Sequence, residues 1–167
     1  MLKPYKKEKH MSTVKTNAMR ILDKHKITYK TYCYDNTKAL SGIEIATTLK
    51  QNQAQVFKTL VTTSKSGTHY VFMIPVAEEL DLKKAAKSVN EKFVEMLKQK
   101  DLLPLTGYVH GGCSPIGMKK QFKTIIHNTA ENFPTIIFSA GAIGYQVELS
   151  LSALKQIIPL QTTDIIV

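Results

Sequence analysis

The sequence predicts an α+β domain in which a mixed, curled, barrel-like β-sheet is flanked by helices. Three observations carry that prediction. Two segments with strand-like alternation, residues 55–63 and 69–76, are joined by a Ser66-Gly67 turn and read as a hairpin. Four further strand-like stretches crowd the last third, at 107–109, 123–127, 135–139 and 145–149. Helix starts are scattered among these strands without the regular βαβα alternation of a doubly wound parallel sheet, and so many short strands favour a sheet that curls towards a barrel.

In chain order, Thr16 or Asn17 caps a first helix that carries Met19, Ile21 and Leu22 on its apolar side and runs to about Lys26. Residues 27–34 are aromatic and β-branched and read as a strand. Ser41 and Glu44 have the S-x-x-E spacing of a capping box, in which hydroxyl and carboxylate satisfy each other's backbone donors, so a second helix starts there and ends near Lys50. In the first hairpin strand Val56, Lys58 and Leu60 share one face and Phe57, Thr59 and Val61 the other, which points Lys58 where hydrophobes point. Asp81 caps a short lysine-rich helix over 82–87, and Asn90 caps another that carries Phe93, Val94, Met96 and Leu97. Glycine loops separate the strands of the last third, and a final helix begins at Ser150 or Ser152.

A chain of 167 residues is one domain's length, and at 43% hydrophobic it carries material for a real core. No repeat, low-complexity tract or linker divides it; residues 1–15 read as a flexible basic arm and 16–167 as the folded domain. Cys33 and Cys113, 80 residues apart and without a C-x-x-C, remove a disulfide framework and a cysteine-rich zinc module and fit a reducing cytoplasm. The run from 70 to 77 stops far short of the roughly 20 apolar residues of a membrane span, so a soluble, cytoplasmic chain without membrane contact is expected. Residues 1–30 hold nine basic groups against two acidic ones, +7 of the formal +10. Such a patch attracts a polyanion such as RNA with salt-sensitive affinity, or is simply a solvated terminus.

The densest candidate for chemistry is the loop 107–120, with Gly107, His110, Gly111, Gly112, Cys113, Ser114, Pro115 and Gly117. Glycines let a main chain approach a ligand and present its N–H groups, while Pro115 stiffens the loop; a purely structural turn fits the same residues. Neither the G-x-x-x-x-G-K-[ST] nor the G-x-G-x-x-G spacing is present. Lys58 is the second candidate, as a binder of phosphate or carboxylate or as a base, against the plainer reading of a stem packed on apolar neighbours with its head in water. His110 and Cys113 have an H-x-x-C spacing, but a zinc site needs three or four ligands and His69 and His127 stand on strands with no cysteine near. A nucleophilic Cys113 would need an electropositive setting that spacing alone does not provide. Tyr34, at the end of the first strand, covers a pocket or packs with its hydroxyl wet.

Taken together, the Val56-Phe57-Lys58-Thr59-Leu60 strand, Asp81-Leu82-Lys83-Lys84, the 107–120 loop, and Ser139-Ala140-Gly141 followed by Val147-Glu148-Leu149 resemble the YbaK/EbsC family. These are aminoacyl-tRNA deacylases related to the editing domain inserted in bacterial prolyl-tRNA synthetase. The resemblance spans about residues 16–158 and rests on the lysine strand, the G-x-x-x-P loop and the S-x-G turn standing in order at suitable intervals.

The resemblance implies the family's α+β editing-domain fold and hydrolysis in trans of an amino acid wrongly attached to tRNA(Pro), cysteine first of all. It implies a hydrolase or lyase acting on the aminoacyl ester without metal, cofactor or enzyme nucleophile, the bound cysteine's own thiol attacking its carbonyl. Carried over, Lys58 matches the essential lysine that positions the substrate, with Gly111 beside it as the second catalytic position. Gly111, Gly112, Cys113, Ser114 and Pro115 match the loop whose backbone holds the terminal adenosine and ester. Tyr34 matches a pocket tyrosine, Thr59 follows the lysine, and Ser139 and Gly141 match the S-x-G turn. Gln146 stands where other members carry Asp. Mischarged tRNA(Pro) is the implied partner, with prolyl-tRNA synthetase as a docking partner that would supply tRNA selectivity. Two alternatives stay open: an editing enzyme for alanine or another small amino acid, and a non-catalytic tRNA-binding module.

Overall fold

The computed structural model describes residues 14–167, so the basic arm over 1–15 lies almost wholly outside the described residues. The elements run α1 (Asn17–Lys24), β1 (Lys30–Cys33), α2 (Gly42–Thr48), β2 (Phe57–Ser64), β3 (His69–Pro75), α3 (Leu82–Ser88), β4 (Val94–Met96), α4 (Gln99–Thr106), β5 (Lys123–His127), β6 (Ile136–Ser139), β7 (Tyr145–Leu149), α5 (Leu151–Ile157) and β8 (Leu160–Thr163). They build a five-stranded sheet of order β4-β2-β3-β5-β8 and a three-stranded sheet of order β1-β7-β6. The large sheet is mixed: β2 pairs antiparallel with β3 and β4, while β5 runs parallel to both β3 and β8. The small sheet is antiparallel throughout. An isolated parallel bridge, Val56 to Ile137, joins the two. The sheets therefore curl around one another without closing into a barrel.

Local chemistry explains most of the helix boundaries. Thr16 accepts from the Met19 N–H, Asp81 from Lys83 and Lys84, Ser150 from Ala153, and Ser41 with Glu44 forms a complete capping box. Helices α1, α2 and α3 all end in Schellman motifs, with Lys26, Lys50 and Asn90 in the left-handed region at φ 57, 55 and 58. After α3, for example, Asn90 N–H donates to Lys87 O and Glu91 N–H to Ala86 O, which satisfies two terminal carbonyls.

Asn90 thus closes a helix and does not open one, against the sequence expectation. Residues 94–96 form an edge strand because Val94, Glu95 and Met96 pair with Ser64, Thr63 and Thr62, a partner that local periodicity cannot reveal. Residues 107–109 are no strand either. Gly107 (φ 85) is the left-handed cap of α4, its N–H donating to Leu103 O. That helix was not foreseen, since it contains Pro104 and lacks a side-chain N-cap. Strand β8 was also missed; its partner β5 lies more than thirty residues back in the chain.

Strand β3 is buried along its whole length after His69, the pattern of a central strand covered on both faces. On one side Phe72 and Ile74 pack with Ala85 and Ala86 of α3, Val94 and Ile125. On the other, Met73 joins Met19 and Leu22 of α1, Phe138 and Val147 of the small sheet, and Leu154 of α5. Burying a side chain such as Phe72 or Leu22 contributes roughly 1.5–3 kcal/mol each, so the seam between the sheets is a core and a firm floor for what lies above it. No described helix is long and apolar enough to cross a membrane.

Candidate active site

A cavity of about 350 Å³ opens where the two sheets part. Val56 and Ile137 are bridged, and two residues beyond each stand Lys58 on β2 and Ser139 on β6, both lining the cavity. Further walls come from Tyr34 after β1, Ser41, Gly42 and Ile45 at the start of α2, Val76 after β3, Leu102 of α4, and the turn at His110–Gly111 with Cys113. The volume lies near the lower end of small-molecule sites, roughly 300–1,000 Å³.

Lys58 is half-buried and paired across the hairpin with Ile74, a fully buried residue. Among the described residues no carboxylate lines the cavity, and the Lys58 Nζ forms neither an ion pair nor a hydrogen bond. An ammonium so placed sits on an apolar wall with its donors free for a ligand's oxygen atoms. Its neighbour Thr59 carries a buried hydroxyl with no hydrogen-bond partner within the described residues. Buried polar atoms are seldom left unmatched, and this one belongs to a wall residue of the cavity.

Gly111 sits at φ 86, the positive value a type II turn asks of its third residue, and the turn is closed by Gly112 N–H donating to Val109 O at 2.9 Å. The Gly112 amide is therefore spent inside the loop, which leaves Gly111 as the loop's glycine at the cavity wall. Gly112 packs against the Ala142–Ile143 main chain, Ser114 is buried and accepts from Ile116 N–H, and Pro115 is buried behind it. Gly112, Ser114 and Pro115 thus hold the loop's shape and do not line the cavity.

The Ser139–Gly141 turn is braced from the same loop. Gly141 N–H donates to Ser139 Oγ, and at φ 91 a side chain on Gly141 would meet the Tyr108 ring at 2.8 Å. Tyr108 is buried and its hydroxyl donates to Ile116 O, so one ring clamps the glycine loop to the S-x-G turn. Gly141 supports the site from behind, while Ser139 lines it.

Cys113 lies on the wall but is only 8% exposed, and burial pushes its thiol up to about 12. A thiol held protonated is a poor nucleophile. Beneath the cavity Gln146 is 5% exposed, and its Oε1 accepts from Gln51 Nε2 at 2.8 Å. A neutral amide pair thus occupies the floor. Next to it on β7, Glu148 accepts from both Tyr32 and Thr135, and this hydrogen bond raises the Tyr32 phenol to about 12. Among the described residues no three His, Cys, Asp or Glu side chains gather as a metal site.

Six of the residues that the family resemblance assigns to the site therefore meet at one cavity, Tyr34, Lys58, Thr59, Gly111, Cys113 and Ser139, and His110 and Gln146, also singled out from sequence, line it with them. The sequence did not reveal its apolar wall, Leu40, Ile45, Val76 and Leu102, because ordinary aliphatic residues in four separate segments carry no local signal. The Gln51 partner of Gln146 was missed for the same reason, the two lying 95 residues apart.

With this geometry in place, the chain can be set beside known proteins. A family model for the "Aminoacyl-tRNA editing domain" matches residues 37–157. The chain belongs to the aminoacyl-tRNA editing domain family. A curated protein of Enterococcus faecalis named "Putative Cys-tRNA(Pro)/Cys-tRNA(Cys) deacylase EbsC" is 48% identical over 141 residues, which cover 84% of this chain and 86% of that protein. Membership of the family is thus supported over nearly the whole described domain, as the YbaK/EbsC resemblance implied.

Solved structures agree on the fold. A crystal structure described as "a putative trans-editing enzyme for prolyl tRNA synthetase" superposes with a TM-score of 0.78 at 19% identity, covering 92% of this chain and 99% of that one. Another, of "hypothetical protein APE2540", gives 0.78 at 18% identity over 87% of this chain and 96% of that one. The editing-domain fold expected from the sequence is the fold observed.

Proposed function

We propose that this protein is a trans-editing deacylase that hydrolyses Cys-tRNA(Pro). One observation carries the reading: in a chain of the aminoacyl-tRNA editing domain family, a lysine unpaired among the described residues and a glycine turn line a single cavity whose described wall holds no carboxylate. The name of the Enterococcus relative supports cysteine as the amino acid and gives both tRNA(Pro) and tRNA(Cys) as carriers, of which the family resemblance favours tRNA(Pro).

An aminoacyl ester is already activated, so catalysis needs chiefly placement and stabilisation of the charge that develops on the carbonyl oxygen. Lys58 supplies a cation there, and the main chain at Gly111 supplies an amide donor; removing one such donor costs other enzymes about 2.7–4 kcal/mol. The apolar wall of Ile45, Val56, Val76 and Leu102 accepts a small, polarisable side chain. With Cys113 locked as a thiol, the reading uses the substrate's own sulfur as nucleophile: it is tethered next to its carbonyl, so proximity replaces an enzyme nucleophile. Tyr34, Thr59 and Ser139 offer hydroxyls to the ester and the terminal ribose, and the reading involves no metal. Selection of tRNA(Pro) over other tRNAs is assigned to a complex with prolyl-tRNA synthetase, and the chain is placed in the cytoplasm.

The test is a panel of tRNA(Pro) charged with cysteine, alanine or proline, incubated with the purified protein with and without chelator. Release of cysteine alone, unchanged by chelation, is expected. Release of alanine in preference transfers the assignment to a different small amino acid, and salt-sensitive binding without release removes the enzyme reading.

A further inference from the structure

We infer that His110 is the proton-transfer group of the deacylation. The inference rests on the deacylase reading above and adds a residue to it. Attack by the substrate thiol requires a base to take the Sγ proton, and departure of the ribose oxygen requires an acid to supply one. Among the described residues, the titratable ones that line the cavity are Tyr34 after β1, Lys58 of β2, and His110 and Cys113 of the glycine loop, with no carboxylate beside them. Burial keeps the Cys113 proton in place. Lys58 serves the reaction as a cation, and a lysine that surrendered its charge would no longer hold the oxyanion. Tyr34 is a phenol, a donor and not a base. An imidazole is the side chain that both accepts and returns a proton near neutrality.

Geometry favours the same residue. His110 is the second residue of the turn whose third is Gly111, so the ring and the main chain assigned to the ester oxygen are carried by adjacent positions. It is exposed, and within the described residues its ring makes no hydrogen bond, so nothing fixes it away from the cavity that it lines.

The step balances without a co-reactant. The imidazole nitrogen takes the Sγ–H proton as the S–C bond forms and the carbonyl π electrons move to oxygen. The tetrahedral adduct collapses, the C=O bond re-forms, and the C–O bond to the ribose breaks. The imidazolium returns the same proton to the ribose oxygen. Free tRNA and a cysteine thiolactone leave, and water opens the thiolactone to cysteine.

The experiment compares wild type, His110→Ala and His110→Phe in Cys-tRNA(Pro) deacylation across a pH series, with and without added imidazole. Both variants should lose about 100-fold in kcat, as removal of a positioned general base does, with KM changed less than about threefold. Free imidazole should restore part of the rate to His110→Ala and none to His110→Phe. Melting temperatures should match, since the residue is exposed. A wild-type rate in either variant overturns the inference, and a fast His110→Phe assigns the ring to stacking instead. A loss confined to KM overturns it as well. Wild type that releases no cysteine removes the deacylase reading and this inference together, whereas active wild type with unaffected variants removes this inference alone.

Discussion

Replacing Lys58 with Met keeps the length of the side chain and its packing against the hairpin while deleting the one lysine charge among the described residues of the cavity wall. The half-buried setting opposite Ile74, with no carboxylate among the described wall residues, places the ammonium between the exposed and fully desolvated limits. A hydrogen bond to a charged group in such a setting is worth about 1.5–3 kcal/mol, and loss of an oxyanion donor about 2.7–4 kcal/mol. A loss of 2–4 kcal/mol, with about 1.4 kcal/mol per decade, is roughly 30- to 1,000-fold in rate. Single-turnover release of labelled cysteine from Cys-tRNA(Pro) reads it directly, and Lys58→Arg, which keeps the charge but changes its geometry, should fall between the two. Stability should move the other way or not at all, because an unpaired cation has left an apolar wall; the melting temperature of Lys58→Met should equal or exceed that of wild type. A rate within about threefold of wild type, or a loss that tracks a lowered melting temperature, would refute the reasoning and make Lys58 a structural residue.

Gly141→Ala tests the clamp behind the site. A left-handed φ costs a residue with a Cβ about 1–2 kcal/mol and forced overpacking about 1–3 kcal/mol, here against the Tyr108 ring at 2.8 Å. At about 2–4 °C per kcal/mol for a domain of this size, thermal unfolding should fall by roughly 5–15 °C; an unchanged melting point would deny the clamp. Cys113→Ala should leave deacylation at neutral pH within about threefold, as measured by the same release assay. It should also change alkaline stability. The folded chain keeps the Cys113 proton up to about 12 while the unfolded thiol releases it near 9.0, so the folded state binds more protons there. Stability is therefore full below pH 9 and falls as pH rises towards 12, by at most about 1.4 kcal/mol per unit. Urea titrations across that range should show a shallower fall in Cys113→Ala, with the part due to Tyr32, also held protonated to about 12, still present.

The parts of the fold legible in the sequence were those fixed by near neighbours along the chain: helix caps within four residues, the alternation of β2, β3, β5, β6 and β7, and the tight turn of the β2–β3 hairpin. The Ser41–Glu44 box, the Asp81 cap and the Ser150 start are local contracts between a side chain and the next turn of backbone, and each stands where the sequence put it. Asn90 shows the limit, since the residue type that opens helices also tolerates the left-handed turn that ends them. The 94–96 segment is a strand through its pairing with β2, and β8 through its pairing with β5, so tertiary contact decided both. Within the site, Lys58 stood out as a charge in an apolar strand and Gly111 as part of a glycine cluster. Leu102 and Gln51 could not, because nothing about a leucine on a helix or a glutamine after one says which cavity it will meet.

The joint at Val56 and Ile137 has a mechanical consequence. It ties β2 and β6 at one point of main chain, past which the strands diverge as the two tines of a fork, Lys58 on one and Ser139 on the other. The width of the cavity between Lys58 and Ser139 then follows the splay of the tines. A bulkier residue at Ile137, which lines no part of the gap, should lever the tines apart and widen the cavity without altering any surface that lines it.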